Sequence, residues 1–498
     1  MTVYKNLKEW EYLSKRINIP NYAIINNEPY FGSGEVLEII NPATREVLTK
    51  IASCNEQDIN YAIKCARNSF EEGLWALMPK NERKKRLLYL AELIYKNRAE
   101  LALLDTLNMG KPITETYDED IPASASHFAW FAELIDKQYD EIAPTDSDSL
   151  ATITREPLGV VAAVVPWNYP FMMASWKVAP ALAAGNSVIL KPANITPLSA
   201  IRLGELAIQA GIPKGVLNIV PGTGSVAGQA LGLHPDVDCV AFTGSTATGK
   251  RFMQYSGQSN LKQIWLECGG KSPHIIFEDC PDLDAAAKAA TIGIFSNQGE
   301  VCIAGSRLYI QESIYELFID KLLNHAKQLK LGNPLDPDTQ MGAIVNQEQW
   351  KQIIEYIEIG KQEGAQLLTG GKPTLMKQGF YIEPTIMTVE RQDLRIVQEE
   401  IFGPVLVVSK FKTEEEVIKY ANQSIYGLGA GLWTANLSRA HRVTRALKSG
   451  LVWINCYFNS NDSIPFGGVK QSGFGRDKSI YALDKYSSIK SAWFNLTH

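Results

Sequence analysis

A chain of 498 residues is too long for one hydrophobic core and predicts roughly two to four domains. Its 45% apolar and 21% charged composition suits a globular protein, and a formal net charge of −5 offers no basic surface to nucleic acid, so that partner class is set aside. No apolar run reaches the roughly 18–20 residues of a membrane span, and the opening MTVYKNLKEWEYLSKRINIP lacks the apolar stretch of a signal peptide, so a cytoplasmic protein with no membrane partner is expected.

Helical patterns dominate from about residue 57. Ile59, Ala62, Ile63, Ala66 and Phe70 share one helical stripe, and residues 83–104 predict one long helix. Residues 138–156 (QYDEIAPTDSDSLATITRE) are polar and alternating, with no helical stripe. Short apolar strands at 159–165, 187–190, 216–220 and 239–242 then alternate with helices. One of these helices, 197–211, takes Thr196 as N-cap, Pro197 at its first position and Gly211 as its stop. Such alternation predicts parallel βαβ units in a doubly wound sheet, and a second alternation from about 272 to 450 predicts a second domain of that kind. Residues 486–496 alternate like 138–156. Both segments predict exposed strands, either a subunit interface or an ordinary edge hairpin.

Seven cysteines without a CxxC pair or a His–Cys cluster argue against structural zinc and a disulfide framework, so no metal is expected. Residues 244–250 (GSTATGK) match the first seven positions of a phosphate-binding P-loop, but Arg251 stands where the magnesium ligand should be. The ATPase reading fails there. A small-residue loop remains, with Gly244, Ser245 and Gly249 between a strand and a helix, and its backbone N–H groups suit a dinucleotide pyrophosphate. Residues 222–227 (GTGSVA), with Gly224 at their third position, match GxGxxA loosely. Glu267 lies in WLECGGKSP, apolar company that raises a carboxyl pKa and makes a usable general base; the alternative is a surface carboxylate beside a turn. Cys302 lies in NQGEVCIAGSR, where small neighbours allow access; a thiolate there also needs positive potential, which a helix N-terminus could supply. No histidine stands near it in a cysteine-protease pattern. Asn168 in PWNYP ends an apolar strand, where its amide either donates to a developing oxyanion or serves a turn.

Taken together, PWNYP, ILKPAN, FTGSTATG, LECGGKSP, GEVCIAGSR, EEIFGPV and PFGG, in this order, resemble the aldehyde dehydrogenase superfamily from NPATRE at 41 to PFGGVKQSGFGR at 465–476. The resemblance implies an α/β fold of two doubly wound parallel-sheet domains plus a small β oligomerisation arm. It implies a dinucleotide-binding domain of residues 1–137 and 157–267, a catalytic domain of 268–478, and an arm of 138–156 and 479–498, in a homotetramer (a dimer of dimers) or homodimer. It makes Cys302 the nucleophile, Asn168 and the Cys302 backbone N–H the oxyanion donors, and Glu267 the base that hydrolyses a thioester. For an NAD cofactor it implies Lys191 at the adenosine ribose, Ser245 with Gly244, Gly249 and Gly224 near the phosphates, and Glu400, Trp167 and Phe402 on the nicotinamide side. Asn194 stands where NAD-preferring members often carry glutamate, which makes NADP possible as well.

The same resemblance puts Tyr169, Trp176 and Phe466 in the aldehyde pocket. The polar loop carrying Ser460 and Asp462, with the acidic run Asp118, Glu119 and Asp120 near the expected entrance, suits an aldehyde bearing an amine; such a run is otherwise a solvated face. DCPDL at 279–283, LSRAHR at 437–442 and GRDKS at 475–479 resemble the γ-glutamyl-γ-aminobutyraldehyde dehydrogenases of putrescine catabolism. Betaine aldehyde or broad-specificity enzymes, and a silent scaffold of the same fold, are the alternatives.

Overall fold

The computed structural model describes residues 6–374 and 379–497. Residues 1–5, 375–378 and 498 belong to the expected segments but lie outside the described residues. Four sheets organise the described residues. The largest has five parallel strands at its centre, in the order Gln263–Glu267, Cys239–Thr243, Val160–Val164, Ser187–Lys191 and Leu217–Ile219. Four of them, Val160–Val164, Ser187–Lys191, Leu217–Ile219 and Cys239–Thr243, are buried at every position, as strands covered on both faces must be. Winding outward in both directions from Val160–Val164 leaves a crevice beyond the carboxyl ends of that strand and Cys239–Thr243, the point where such sheets bind ligands. A second, seven-stranded sheet is parallel apart from the edge strand Gln366–Thr369, and has Arg307–Gln311 and Pro273–Ile276 at its centre.

The helix Glu56–Glu71 carries the expected stripe, with Ile59, Ala62, Ile63 and Ala66 fully buried and Phe70 half-buried at its end. Residues 83–104 are not one helix. Lys80–Lys96 and Arg98–Met109 are separated at Asn97, whose side-chain amide donates to the Leu93 carbonyl at 2.7 Å and so competes with the helical ladder. Thr196 is not an N-cap either. The helix Leu198–Gln209 starts after Pro197 with no side-chain cap, and the Thr196 hydroxyl is buried without a partner. Gly211, at φ 78°, does stop that helix by adopting a conformation other residues resist.

Residues 138–156 and 486–496 supply Glu141–Ala143, Ser149–Pro157 and Ser487–Asn495, which form one antiparallel three-stranded sheet with Ser487–Asn495 at an edge. Five strands were not foreseen: Ala23–Ile25, Glu28–Tyr30, Val36–Ile40, Val47–Ala52 and Gly473–Phe474. Most are short or largely exposed, so they carry little period-two signal. The last of them pairs antiparallel with the end of Gln263–Glu267, stitching the C-terminal part of the chain to the first sheet directly behind Glu267.

Candidate active site

A cavity of about 1530 Å³ opens at the crevice of the first sheet and runs between the two large sheets. It exceeds the roughly 300–1,000 Å³ of a single-ligand pocket, leaving room for a cofactor and a substrate together. Cys302, Glu267, Asn168, Trp167, Tyr169, Gly244, Ser245, Glu400 and Phe402 all line it, though they lie far apart in the chain.

Asn168 reaches this position because the strand Val160–Val164 ends at a Pro-Trp-Asn-Tyr turn that enters the helix Pro170–Ala183. Its side-chain amide donates to the Glu300 carbonyl at 2.7 Å, and its own carbonyl accepts from the Asn297 side chain at 2.9 Å. One of the two Asn168 amide hydrogens is therefore left for a ligand. The loop that carries Cys302 is held in an unusual shape. Asn297, Gln298 and Gly299 are consecutive left-handed residues at φ 47°, 55° and 73°. Such backbone persists only where its surroundings over-determine it. Here Gln298 Oε1 accepts from the Gly342 N–H at 3.0 Å and Glu300 Oε1 from the Val345 N–H at 3.1 Å, while the Gly403 backbone leaves no room for a side chain at 299. Asn297, Gln298 and Glu300 were missed as site residues. The only trace of them in the sequence is a run of amides and glycine before the cysteine.

The expected helix N-terminus at Cys302 is absent, since residues 301–306 are non-helical. Burial, with the Glu400 and Glu267 carboxyls nearby, pushes the thiol up to about 12. It rests protonated, and activation must come from a bound ligand or a base.

Glu267 is the last residue of its strand, is 4% exposed, and neither carboxyl oxygen has a hydrogen-bond partner. It is no surface carboxylate. Burial and the neighbouring Asp477 hold it well above the usual carboxylate range, against the opposing pull of Lys177, Lys485 and Arg476. Asp477 is itself clamped between Lys177 Nζ, at 2.5 Å, and Lys485 Nζ, all three side chains being buried. This Lys–Asp–Lys cluster was missed, because nothing in the spacing of 177, 477 and 485 predicts that they meet.

On the opposite flank Glu400 Oε1 accepts from the Gly270 N–H at 2.8 Å, and burial raises its carboxyl to about 7. Trp167 and Phe402 meet edge to face at 5.2 Å beside it. Lys191, Asn194, Gly224 and Gly249 do not line the cavity. Lys191 ends the neighbouring strand of the same sheet, buried, with its amine on the Pro192 carbonyl at 3.0 Å and pulled down to about 8 by burial. Asn194 follows three residues on, and Gly224 opens a π-helical turn over Gly224–Gly228 whose far end meets the Lys191 stem. Gly249 is buried in the helix Thr246–Gln258 against Cys268.

Trp176 and Phe466 pack edge to face at 4.9 Å on the cavity wall, and Ser460, Asp462, Asp118 and Asp120 line it too. Asp120 does not act as a mouth acid. It is buried, and its carboxylate takes Lys111 Nζ at 2.6 Å; that amine also lies 3.8 Å from the centre of the Tyr169 ring. The exposed acids at the mouth are Asp118 and Glu119, on the π-helical turn Thr116–Asp120. Glu115 and Lys111 were not foreseen.

A family model for the aldehyde dehydrogenase family matches residues 31–492. The chain belongs to that family. This aldehyde dehydrogenase is 48% identical over 494 residues to the NADP/NAD-dependent aldehyde dehydrogenase PuuC of Escherichia coli (strain K12), with 99% of each chain covered. The crystal structure of γ-glutamyl-γ-aminobutyraldehyde dehydrogenase from Burkholderia cenocepacia J2315 superposes on it with a TM-score of 0.97 at 49% identity, covering 99% of this chain and 100% of that one. An indole-3-acetaldehyde dehydrogenase solved with NAD+ superposes at 0.98 and 49% identity, over 99% of this chain and all of the other. Two groups on this cavity have the chemistry to meet a dinucleotide, one offering donors and one acceptors. Ser245 caps the helix Thr246–Gln258, whose N-terminal N–H groups suit a phosphate, and the Glu400 carboxylate beside Gly270 suits ribose hydroxyls.

Proposed function

We propose that this aldehyde dehydrogenase uses NAD, and tolerates NADP, to oxidise an aldehyde bearing an amine at its far end, an aminoaldehyde of the kind released in putrescine catabolism. The observation that carries the reading is the convergence of Cys302, Asn168 and Glu267 on one cavity whose mouth bears Asp118 and Glu119. In this reading the sulfur of Cys302 bonds to the aldehyde carbon as its proton passes to solvent water in the open cavity, and the free Asn168 amide hydrogen and the Cys302 N–H hold the oxyanion. A nicotinamide held by Glu400, Trp167 and Phe402 would supply the hydride acceptor, and loss of that hydride turns the adduct on the Cys302 sulfur into a thioester. Glu267 then takes a proton from water, whose oxygen displaces the thiol and releases the carboxylate. Lys191, Ser245 and Glu400 hold the cofactor, with Gly224 and Gly249 shaping the backbone near its phosphates.

The segments 1–137 with 157–267, and 268–478, serve as dinucleotide-binding and catalytic domains, and 138–156 with 479–498 as an oligomerisation arm. Supporting the arm, Ile489 and Trp493 are 67% and 71% exposed on its edge strand, apolar surface that a monomer would leave wet. A dimer of dimers or a homodimer covers it. Among the described residues no helix is long and apolar enough to cross a membrane, and we place the enzyme in the cytoplasm.

Two measurements test the reading. NADH formation across propanal, betaine aldehyde, 4-aminobutyraldehyde and its γ-glutamyl form should favour the aminoaldehydes. Asp118→Asn should lower the ratio of kcat/KM for 4-aminobutyraldehyde to that for propanal by roughly three- to tenfold, in keeping with a partly screened charge. An unchanged ratio removes the acidic mouth from the account. Separately, Asn194 places no negative charge against a 2′-phosphate. We expect kcat/KM with NADP to stay above about a thousandth of that with NAD, a gap of roughly 4 kcal/mol, and Asn194→Glu to widen the difference. NADP activity below that bound sinks this part of the reading.

A further inference from the structure

Two lysines line the cavity, and they differ in how they are committed. Lys111 is locked onto Asp120. Lys478 donates to Ser460 Oγ at 2.7 Å, and its amine stands 3.8 Å from Asp462 Oδ1, beyond hydrogen-bond length. An ammonium has three donors, so Lys478 keeps capacity for a ligand. Asp462 is held from behind by His127 Nδ1 at 2.8 Å and by the Ser126 hydroxyl at 3.3 Å. Burial opposes its charge, but His127 and Lys478 keep its carboxyl below the ordinary range.

The backbone is shaped to hold this pair. Lys478 and Ser479 are consecutive left-handed residues, at φ 59° and 55°, and the Ser479 N–H donates to the Asp462 carbonyl at 2.7 Å. Two adjacent strained non-glycine residues persist only under firm tertiary constraint, and they gather at ligand sites. Lys478 is 8% exposed, and its amine lies 5.1 Å from the Trp176 ring centre on the aromatic wall.

We propose that Asp462 and Lys478 form a receptor for a zwitterionic amino-acid head group at the far end of the aldehyde, Lys478 taking its carboxylate and Asp462 its ammonium. An acid and a base side by side, neither saturating the other, present opposite charges to match a ligand whose own two charges sit on one carbon. Charge-assisted bonds on a partly dehydrated wall favour that alignment, whereas a ligand with one charge meets repulsion from one of the two. The inference rests on the aminoaldehyde reading and narrows it. A γ-glutamyl group carries both charges, and 4-aminobutyraldehyde carries the ammonium alone.

Wild-type turnover of γ-glutamyl-γ-aminobutyraldehyde, 4-aminobutyraldehyde and propanal comes first. If neither aminoaldehyde is preferred to propanal, the underlying reading fails and the receptor with it. With the preference in place, Lys478→Gln should lower the ratio of kcat/KM for the γ-glutamyl substrate to that for 4-aminobutyraldehyde at least about tenfold, through KM rather than kcat, with partial recovery in Lys478→Arg. An equal loss on both substrates overturns the receptor alone. A measurement on the wild-type protein avoids any folding defect. The unreactive γ-glutamyl butylamide should compete with substrate at least about tenfold more tightly than its α-carboxyl methyl ester, and equal inhibition by the two overturns the proposal.

Discussion

Replacing Cys302 with serine should lower kcat for NADH formation by at least about 10³-fold while leaving NAD binding intact. The thiol is already a reluctant nucleophile, since burial and two nearby carboxyls push it up to about 12. A serine hydroxyl in the same place is far harder to ionise, and among the described residues no histidine lines the cavity to take its proton. The loop should tolerate the swap, because its shape comes from Asn297, Gln298 and Glu300 and not from the sulfur. Rapid-quench kinetics should find no covalent intermediate in the variant. Turnover at the parental rate would end the covalent account of this site.

Glu267→Gln should instead preserve thioester formation and slow its hydrolysis by about 10²–10⁴-fold, the usual share of a general base. A burst of NADH followed by a stalled steady state is the expected trace. The pH dependence follows in sign. A carboxyl held well above its ordinary range by burial is protonated at low pH and becomes a base as pH rises through its folded-state value, so wild-type hydrolysis should rise with pH and the variant should lose that limb. Stability runs the other way. A raised carboxyl pKa means folding is penalised above the unfolded value, so the neutral glutamine should raise Tm at alkaline pH and change it little in acid. Both carboxyl oxygens lack partners, so the native protein carries this cost at its catalytic centre. A variant that shows neither the burst nor the gain in Tm would move the base elsewhere.

Family membership was readable from short motifs because turns and loops that position chemistry need particular residues at fixed offsets. The strand–helix alternation from 159 to 242 was readable for a related reason: buried parallel strands are runs of Val, Ile, Leu and Ala between helical stripes. The two polar segments that form the three-stranded sheet also stood out by their period. Local patterns failed where two tendencies competed in one stretch, as at Asn97, whose side chain takes a helix carbonyl, and at Pro197, which left Thr196 without a helix to cap.

What the amino-acid order alone determined was the family, and it singled out Cys302, Glu267 and Asn168 as the proposed nucleophile, base and oxyanion amide. Those are single residue types at single positions, legible without knowing what lies opposite. The tertiary structure decided their electrical state. It put Asp477 between Lys177 and Lys485 behind Glu267, neutralised Asp120 with Lys111, denied Cys302 a helix dipole, and set Lys478 beside Asp462. Charge interactions depend on separation in space and on the exclusion of water, and residues 300 positions apart in sequence carry no local sign that folding will bring them within 3 Å.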